Sequence, residues 1–204
     1  ELGGTVKSVQ QFSQTQAGAL DKPVKAQVAN AKKDAAGVIA LCSYPGGGAE
    51  ALAAIRAGGL NTPVISGFGL DGAFWLGAVP NLSNFTTVTY ASVFGDDSNP
   101  KVVELLAAFK EKTGQDAATG GLITGASAIE AFALAATRAG SFDGAAMAAE
   151  MNKFANEDLT AGPTSFTDTL HVNVSRPMAV ITVTDGKHAF VEYRAAVKPT
   201  FPTK

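Results

Sequence analysis

A chain of 204 residues with 46% hydrophobic and 17% charged side chains has the length and balance to fold around a sizeable core, as one large domain or two small ones. Sixteen lysines and arginines against eighteen aspartates and glutamates give a net charge of −2 with no basic run, which argues against a nucleic acid partner; no stretch reaches the roughly 18 apolar residues of a membrane span. The single cysteine, Cys42, excludes an internal disulfide and an all-cysteine metal site, and the first residues carry no signal-peptide pattern.

In chain order, residues 5–12 (TVKSVQQF) have strand propensity, and residues 22–34 (KPVKAQVANAKKD) put Val24, Val28 and Ala31 on one helical face. The continuous apolar run 37–43 (GVIALCS) predicts a strand buried on both faces of a parallel sheet. A helix is expected from Ala49, carrying Leu52 and Ile55 and closing at Gly58 and Gly59. Residues 62–68 (TPVISGF) predict a third strand, GLDGAFWLG a short helix or loop, and residues 85–94 (FTTVTYASVF) a fourth strand. The next helix is the best delimited: Asn99 can cap it, Pro100 suits its first position, Val102, Leu105, Leu106 and Phe109 form its buried stripe, Lys110 and Lys112 complement its dipole, and Gly114 stops it. Residues 1–114 thus read βαβαβαβα, an α/β fold with a doubly wound parallel sheet covered on both sides.

The alternation then breaks. Residues 120–140 predict one long apolar helix and 143–155 another, and residues 177–193 predict a hairpin around Asp185-Gly186. The tail KPTFPTK, 198–204, is expected to be extended and mobile.

Chemistry is sparse. Gly46, Gly48 and Ala51 satisfy the G-x-G-x-x-A spacing of a dinucleotide turn, but Asp71, twenty residues on, falls beyond the end of the next strand. The glycines therefore read as a tight passage from strand to helix, and a nicotinamide-dependent enzyme is the weaker alternative. Ligands of open α/β sheets bind beyond the carboxyl ends of the strands. There the sequence offers Ser43 and Tyr44 after one strand, and Phe68, Gly69 and Asp71 after the next, enough to orient a small amphiphilic ligand. Phe74 and Trp75 read as core, Cys42 as a buried structural thiol, Asp96 and Asp97 as charges favouring the following helix dipole, and Glu130 as solvent-facing. His171 and His188 are too isolated for a triad, and Asp168 with His171 makes no metal site. No nucleophile, base and orienting group assemble, so the sequence predicts no enzyme, no cofactor and no metal.

The order of the segments over nearly the whole chain resembles the type I periplasmic binding proteins, specifically the branched-chain amino acid receptors of ABC importers. The likeness is carried by KPVKAQVANAKKDAAGVIALCSYPGGGAEALAAIRAGGLNTPVISGFGLDG, by DDSNPKVVELLAAFKEKTGQDA, by the apolar helix at 122–139, and by TAGPTSFTDTLHVNVSRPMAVITVTDGKHAFVEY. The resemblance implies two lobes that close on a small solute without altering it, permease components as partners, and a periplasmic or outer-face location, with a lipoprotein form and a cleaved signal as options. It implies that the chain corresponds to the C-terminal portion of such a receptor, lacking the N-terminal lobe. Residues 1–118 would be the second-lobe α/β domain, 119–160 a helical segment packing on the first lobe, 161–194 a return segment with the hairpin, and 195–204 a tail. An apolar helix without its partner implies a homo-oligomer or a domain-swapped assembly.

By the same resemblance, Ser43 and Tyr44 face the ligand, and Phe68 stands where these receptors carry the carboxylate that pairs with a ligand ammonium. Gly69 and Asp71 complete that loop. Either Asp71 supplies the counter-charge, or the solute is an aromatic or aliphatic carboxylate rather than an amino acid. A ligand-sensing domain of a regulator or receptor is the main alternative.

Overall fold

The computed structural model describes residues 3–174 and 176–197. In chain order it contains α1 (Lys25–Asp34), β1 (Ile39–Leu41), α2 (Pro45–Ala57), β2 (Val64–Ser66), short 3₁₀ turns at Phe68–Leu70 and Leu76–Ala78, and β3 (Phe85–Thr89). Then follow α3 (Pro100–Thr113), α4 (Gly121–Ala139), α5 (Gly144–Met151), β4 (Glu157–Leu159), β5 (Gly162–Thr164), β6 (Met178–Thr184) and β7 (Lys187–Arg194). The larger sheet has the order β1-β2-β3-β6-β7, and β4 and β5 form a separate antiparallel pair. β1, β2 and β3 run parallel, with Ile39 opposite Val64 and Val64 opposite Phe85, so the expected α/β class with a parallel sheet is present.

The chain forms two compact units. One runs as far as Val88 and takes in Ile181–Ala189; the other comprises Thr89–Val180 and the described residues from Phe190 onward.

In the first unit, Leu41, Leu52, Val64, Leu70 and Phe85 belong to one core cluster with Val24 and Val28 beside α1 and within it. Trp75 is part of that core, edge-on to Phe85 with ring centroids 5.4 Å apart, whereas Phe74 is exposed. β1, the strand within the apolar run, is not buried throughout: Ala40 is exposed between half-buried Ile39 and buried Leu41, and in β2 Ile65 is 45% exposed between buried Val64 and Ser66. Val28 of α1 and Leu52 and Ile55 of α2 belong to the same core cluster.

Residues 5–12 form no strand either. A strand needs a ladder partner, and this segment has none among the described residues. It is held along α1 by side chains: Ser8 bonds Asp34, Gln27 Nε2 donates to the Gln11 carbonyl at 2.8 Å, and Asn30 Nδ2 donates to Gln10 Oε1 at 3.2 Å. Arg56, at the end of α2, donates to the carbonyls of Leu60, Thr62, Ser83 and Asn84 at 2.8–3.0 Å, and burial lowers its pKa. The hairpin turn also lies in this unit. Asp185 and Gly186 both have positive φ (49° and 72°), as a type I′ turn requires, and Gly186 N–H donates to the Leu82 carbonyl at 2.8 Å.

In the second unit, α3 begins as its sequence predicts: Asn99 accepts from the Lys101 amide at 3.0 Å, Pro100 follows, and Gly114 closes the helix in the left-handed region. Its buried Val102 shares a cluster with Ile123 of α4 and Ala161. A second cluster joins Ala131 and Ala135 of α4 to Phe154 and Leu159.

Two acidic positions differ from expectation here. Asp97, expected to serve the helix dipole, is buried and accepts from the amides of Ser92 and Asn99, both at 2.7 Å, and from the Tyr193 hydroxyl at 2.9 and 3.0 Å. Glu130, expected in solvent, is half-buried and accepts from Thr160 N–H at 2.7 Å, Thr160 Oγ1 at 2.5 Å and Ser127 Oγ at 3.3 Å. Both carboxylates close irregular backbone that would otherwise bury unpaired donors. The expected tail, 198–204, lies outside the described residues.

Candidate binding site

Ser43 and Tyr44 leave the carboxyl end of β1, and Gly67, Phe68 and Gly69 leave the carboxyl end of β2, its parallel neighbour. Adjacent parallel strands deliver both loops to one end of the sheet, and there a cavity of about 680 Å³ opens within the first unit. That volume lies in the range of small-molecule pockets. Its third side is the irregular segment of Gln10, Gln11, Phe12 and Gln14.

Glycines make this arrangement possible. A Cβ on Gly69 would lie 2.3 Å from the Ser43 carbonyl oxygen, so only glycine lets the two strand-end loops lie this close. A Cβ on Gly46 would lie 2.3 Å from the Gly18 carbonyl oxygen, and one on Gly47 would meet the Gln14 side chain at 2.5 Å. These glycines sit inside the first turn of α2, which starts at Pro45 instead of Ala49, and they seat the turn at residues 14–20 against the helix. The Gly47 amide donates to the Gly18 carbonyl at 2.5 Å. A donor that a phosphate would need at this helix terminus is thus already engaged by the chain itself.

Polar groups around the cavity are partly committed. Gln14 Nε2 donates to Ser43 Oγ at 3.2 Å and to the Tyr44 carbonyl at 3.4 Å, and Ser66 Oγ donates to the Leu41 carbonyl at 2.9 Å. Tyr44 and Phe68 remain 67% and 46% exposed, a large apolar area facing open space. Among the described residues, no aspartate, glutamate, lysine, arginine or histidine lines the cavity.

Four of the five residues singled out from the sequence, Ser43, Tyr44, Phe68 and Gly69, therefore come together around one cavity. Asp71 is outside its lining: it is 2% exposed, and its Oδ1 accepts from the Gly72 amide at 2.7 Å. Cys42, expected to be buried, is exposed and lines the cavity. The glutamine-rich wall escaped the sequence reading because residues 5–12 were assigned to a strand; the glutamines of QQFSQTQ, too polar for a core strand, were the available signal.

A family model described as periplasmic binding protein matches residues 1–187. The chain belongs to the periplasmic binding protein family. No curated protein matches the sequence. Solved structures of similar fold include the leucine binding protein LivK from Thermotoga maritima (TM-score 0.71, 23% identity, 86% of this chain and 49% of that one). A fatty acid ABC transporter substrate-binding protein from Thermomonospora curvata has a TM-score of 0.66 at 20% identity over 87% of this chain and 48% of its own. A branched chain amino acid ABC transporter protein from Thermus thermophilus with bound valine has a TM-score of 0.66 at 13% identity, over 86% and 50%. At these identities the likeness shows the periplasmic binding protein fold, and the chain spans about half the length of each structure.

Proposed function

We propose that the chain is part of an extracytoplasmic solute-binding receptor of an ABC importer, and that Ser43, Tyr44, Phe68 and Gly69 form a solute-contacting wall, with Asp71 holding the loop behind it. The observation that carries this reading is the cavity of about 680 Å³ at the carboxyl ends of two parallel strands in a chain of this family. The solute is a small amino acid-like molecule or an aromatic or aliphatic carboxylate. Fold relatives described as a leucine binding protein, a fatty acid ABC transporter substrate-binding protein and a branched chain amino acid ABC transporter protein with bound valine span that range. The receptor would act at the periplasmic or outer face of the membrane, hand its solute to permease components, and catalyse no reaction.

Self-association is part of the proposal. On α4, Ile129 and Phe132 are 69% and 49% exposed, and light scattering at rising concentration would reveal the dimer or higher species that this apolar surface favours. The function itself is tested by thermal shift with amino acids, aryl and acyl carboxylic acids, and NAD. Stabilisation that grows with the logarithm of a small carboxylic solute's concentration is expected. Stabilisation by NAD alone would contradict the proposal.

A further inference from the structure

Three of the four arginines in the sequence have oxygen partners. Arg56 donates to four carbonyls, Arg138 holds both oxygens of Glu157 at 2.7 and 2.9 Å, and Arg194 pairs with Glu192 at 2.5 Å. Arg176, in the second unit, has neither a carboxylate nor a carbonyl partner among the described residues.

Yet Arg176 is half-buried and fixed in place. Its guanidinium lies over the ring of Tyr90, 5.2 Å from the centroid, and its stem passes Gly162, where a Cβ would meet Arg176 Cγ at 3.5 Å. Asn173 Nδ2 donates to the Pro163 carbonyl at 2.7 Å, which ties the same loop to β5. Arg176 Nε is buried without a partner, whereas the two Nη groups are not buried, so the end of the fork reaches solvent. Burial lowers the pKa of this group, and attraction to the ring offsets only part of the cost of desolvating a cation. A guanidinium already held on a ring keeps little side-chain freedom to lose, and its two end-on donors match the two oxygens of a carboxylate.

The surroundings narrow the class of anion. Tyr90 directly follows β3, and ligands of open α/β sheets lie beyond the carboxyl ends of strands. Among the described residues of this unit, acidic side chains outnumber basic ones twelve to seven, so a dianion or an acidic protein surface meets repulsion that a small monoanion feels least.

We infer that the Nη end of Arg176, held on the ring of Tyr90, is a binding site for the carboxylate of a small monoanion, built from residues that the cavity of the first unit does not use.

The test is a ¹H–¹⁵N spectrum of the arginine Nε–H groups, with the chain titrated by sodium acetate and, separately, by sodium chloride at equal ionic strength. Loss of one signal in Arg176→Lys assigns it. In the unaltered chain that signal should move to saturation with a half-point in the millimolar range, while those of Arg56, Arg138 and Arg194 stay in place. Tyr90→Leu should raise the half-point about threefold, and Tyr90→Phe, which keeps the ring, should leave it unchanged. Movement that never saturates, or that chloride reproduces, would overturn the inference, as would tighter binding of inorganic phosphate than of acetate. An unchanged half-point in Tyr90→Leu, with an amide spectrum showing a folded chain, would also overturn it by removing the ring from the site.

Discussion

The loops after β1 and β2 and the loop after β3 all leave the carboxyl end of a strand, yet they treat their polar groups in opposite ways. Between Ser92 and Asn99, in the second unit, Asp97 is closed in by two backbone amides and the Tyr193 hydroxyl, and Asp96 accepts from Ser92 Oγ at 2.5 Å and the Phe190 amide at 2.7 Å. At Ser43–Tyr44 and Gly67–Gly69, in the first unit, the loops hold each other at glycine distance, and the aromatic side chains are left facing a cavity. A carboxylate surrounded by backbone donors maintains the fold; exposed rings beside half-committed amides offer a surface to a visitor. Charge thus marks the loop that satisfies itself, and open apolar area marks the cavity.

Substitutions should separate the two kinds of loop. The largest effect is expected at Gly69→Ala, whose Cβ would collide with the Ser43 carbonyl oxygen at 2.3 Å. It should cost about 3 kcal/mol by urea denaturation followed through Trp75, whereas Gly67→Ala, with open space around its Cβ, should stay within about 0.5 kcal/mol. A comparable loss at both positions would remove the close approach from the account.

Next in size is Asp97→Ala. It leaves the buried Ser92 amide and the half-buried Asn99 amide without their acceptor and should lower stability by about 2 kcal/mol. Solute affinity in molecules that remain folded should not change.

A smaller effect follows from Tyr193. Burial, then the bond to Asp97 and its negative charge, hold the Tyr193 phenol well above its ordinary range. The folded chain therefore keeps this proton where the unfolded chain, titrating near pH ~10, has lost it. This contribution is fully present below about pH 10 and disappears as pH rises further towards the folded value. Stability curves above pH ~10 should consequently be flatter for Tyr193→Phe than for the unaltered chain. Parallel curves would show that the phenol is not held in this way.

The smallest stability effect is expected at Tyr44→Ala, because the ring is 67% exposed: a change within about 0.5 kcal/mol in denaturation. That same substitution should weaken solute binding, the reverse of the Asp97 pattern.

Much of the fold was legible where the signals are local. Asn99, Pro100 and Gly114 delimit α3 through contacts within a few residues, and Asp185-Gly186 specifies its own turn. Legibility failed where a structure depends on distant partners. Residues 5–12 have the composition of a strand, but propensity alone supplies no ladder, and their anchors lie on α1. Glu130 looked solvated because Thr160, its main donor, lies 30 residues away. At the site, topology placed Ser43, Tyr44, Phe68 and Gly69 together, since parallel neighbours share an end; the wall from Gln10 to Gln14 arrives from an irregular segment that no periodicity announces.

Cys42 provides the most direct test of the central claim, being the only cysteine and part of the cavity lining. Its alkylation rate should be measured with and without a bound carboxylic solute, in the unaltered chain and in Tyr44→Ala. If the cavity is the binding wall, the solute should slow alkylation in proportion to its occupancy, and Tyr44→Ala should reduce that protection at the same solute concentration. A solute that binds while Cys42 reacts at an undiminished rate would contradict the account.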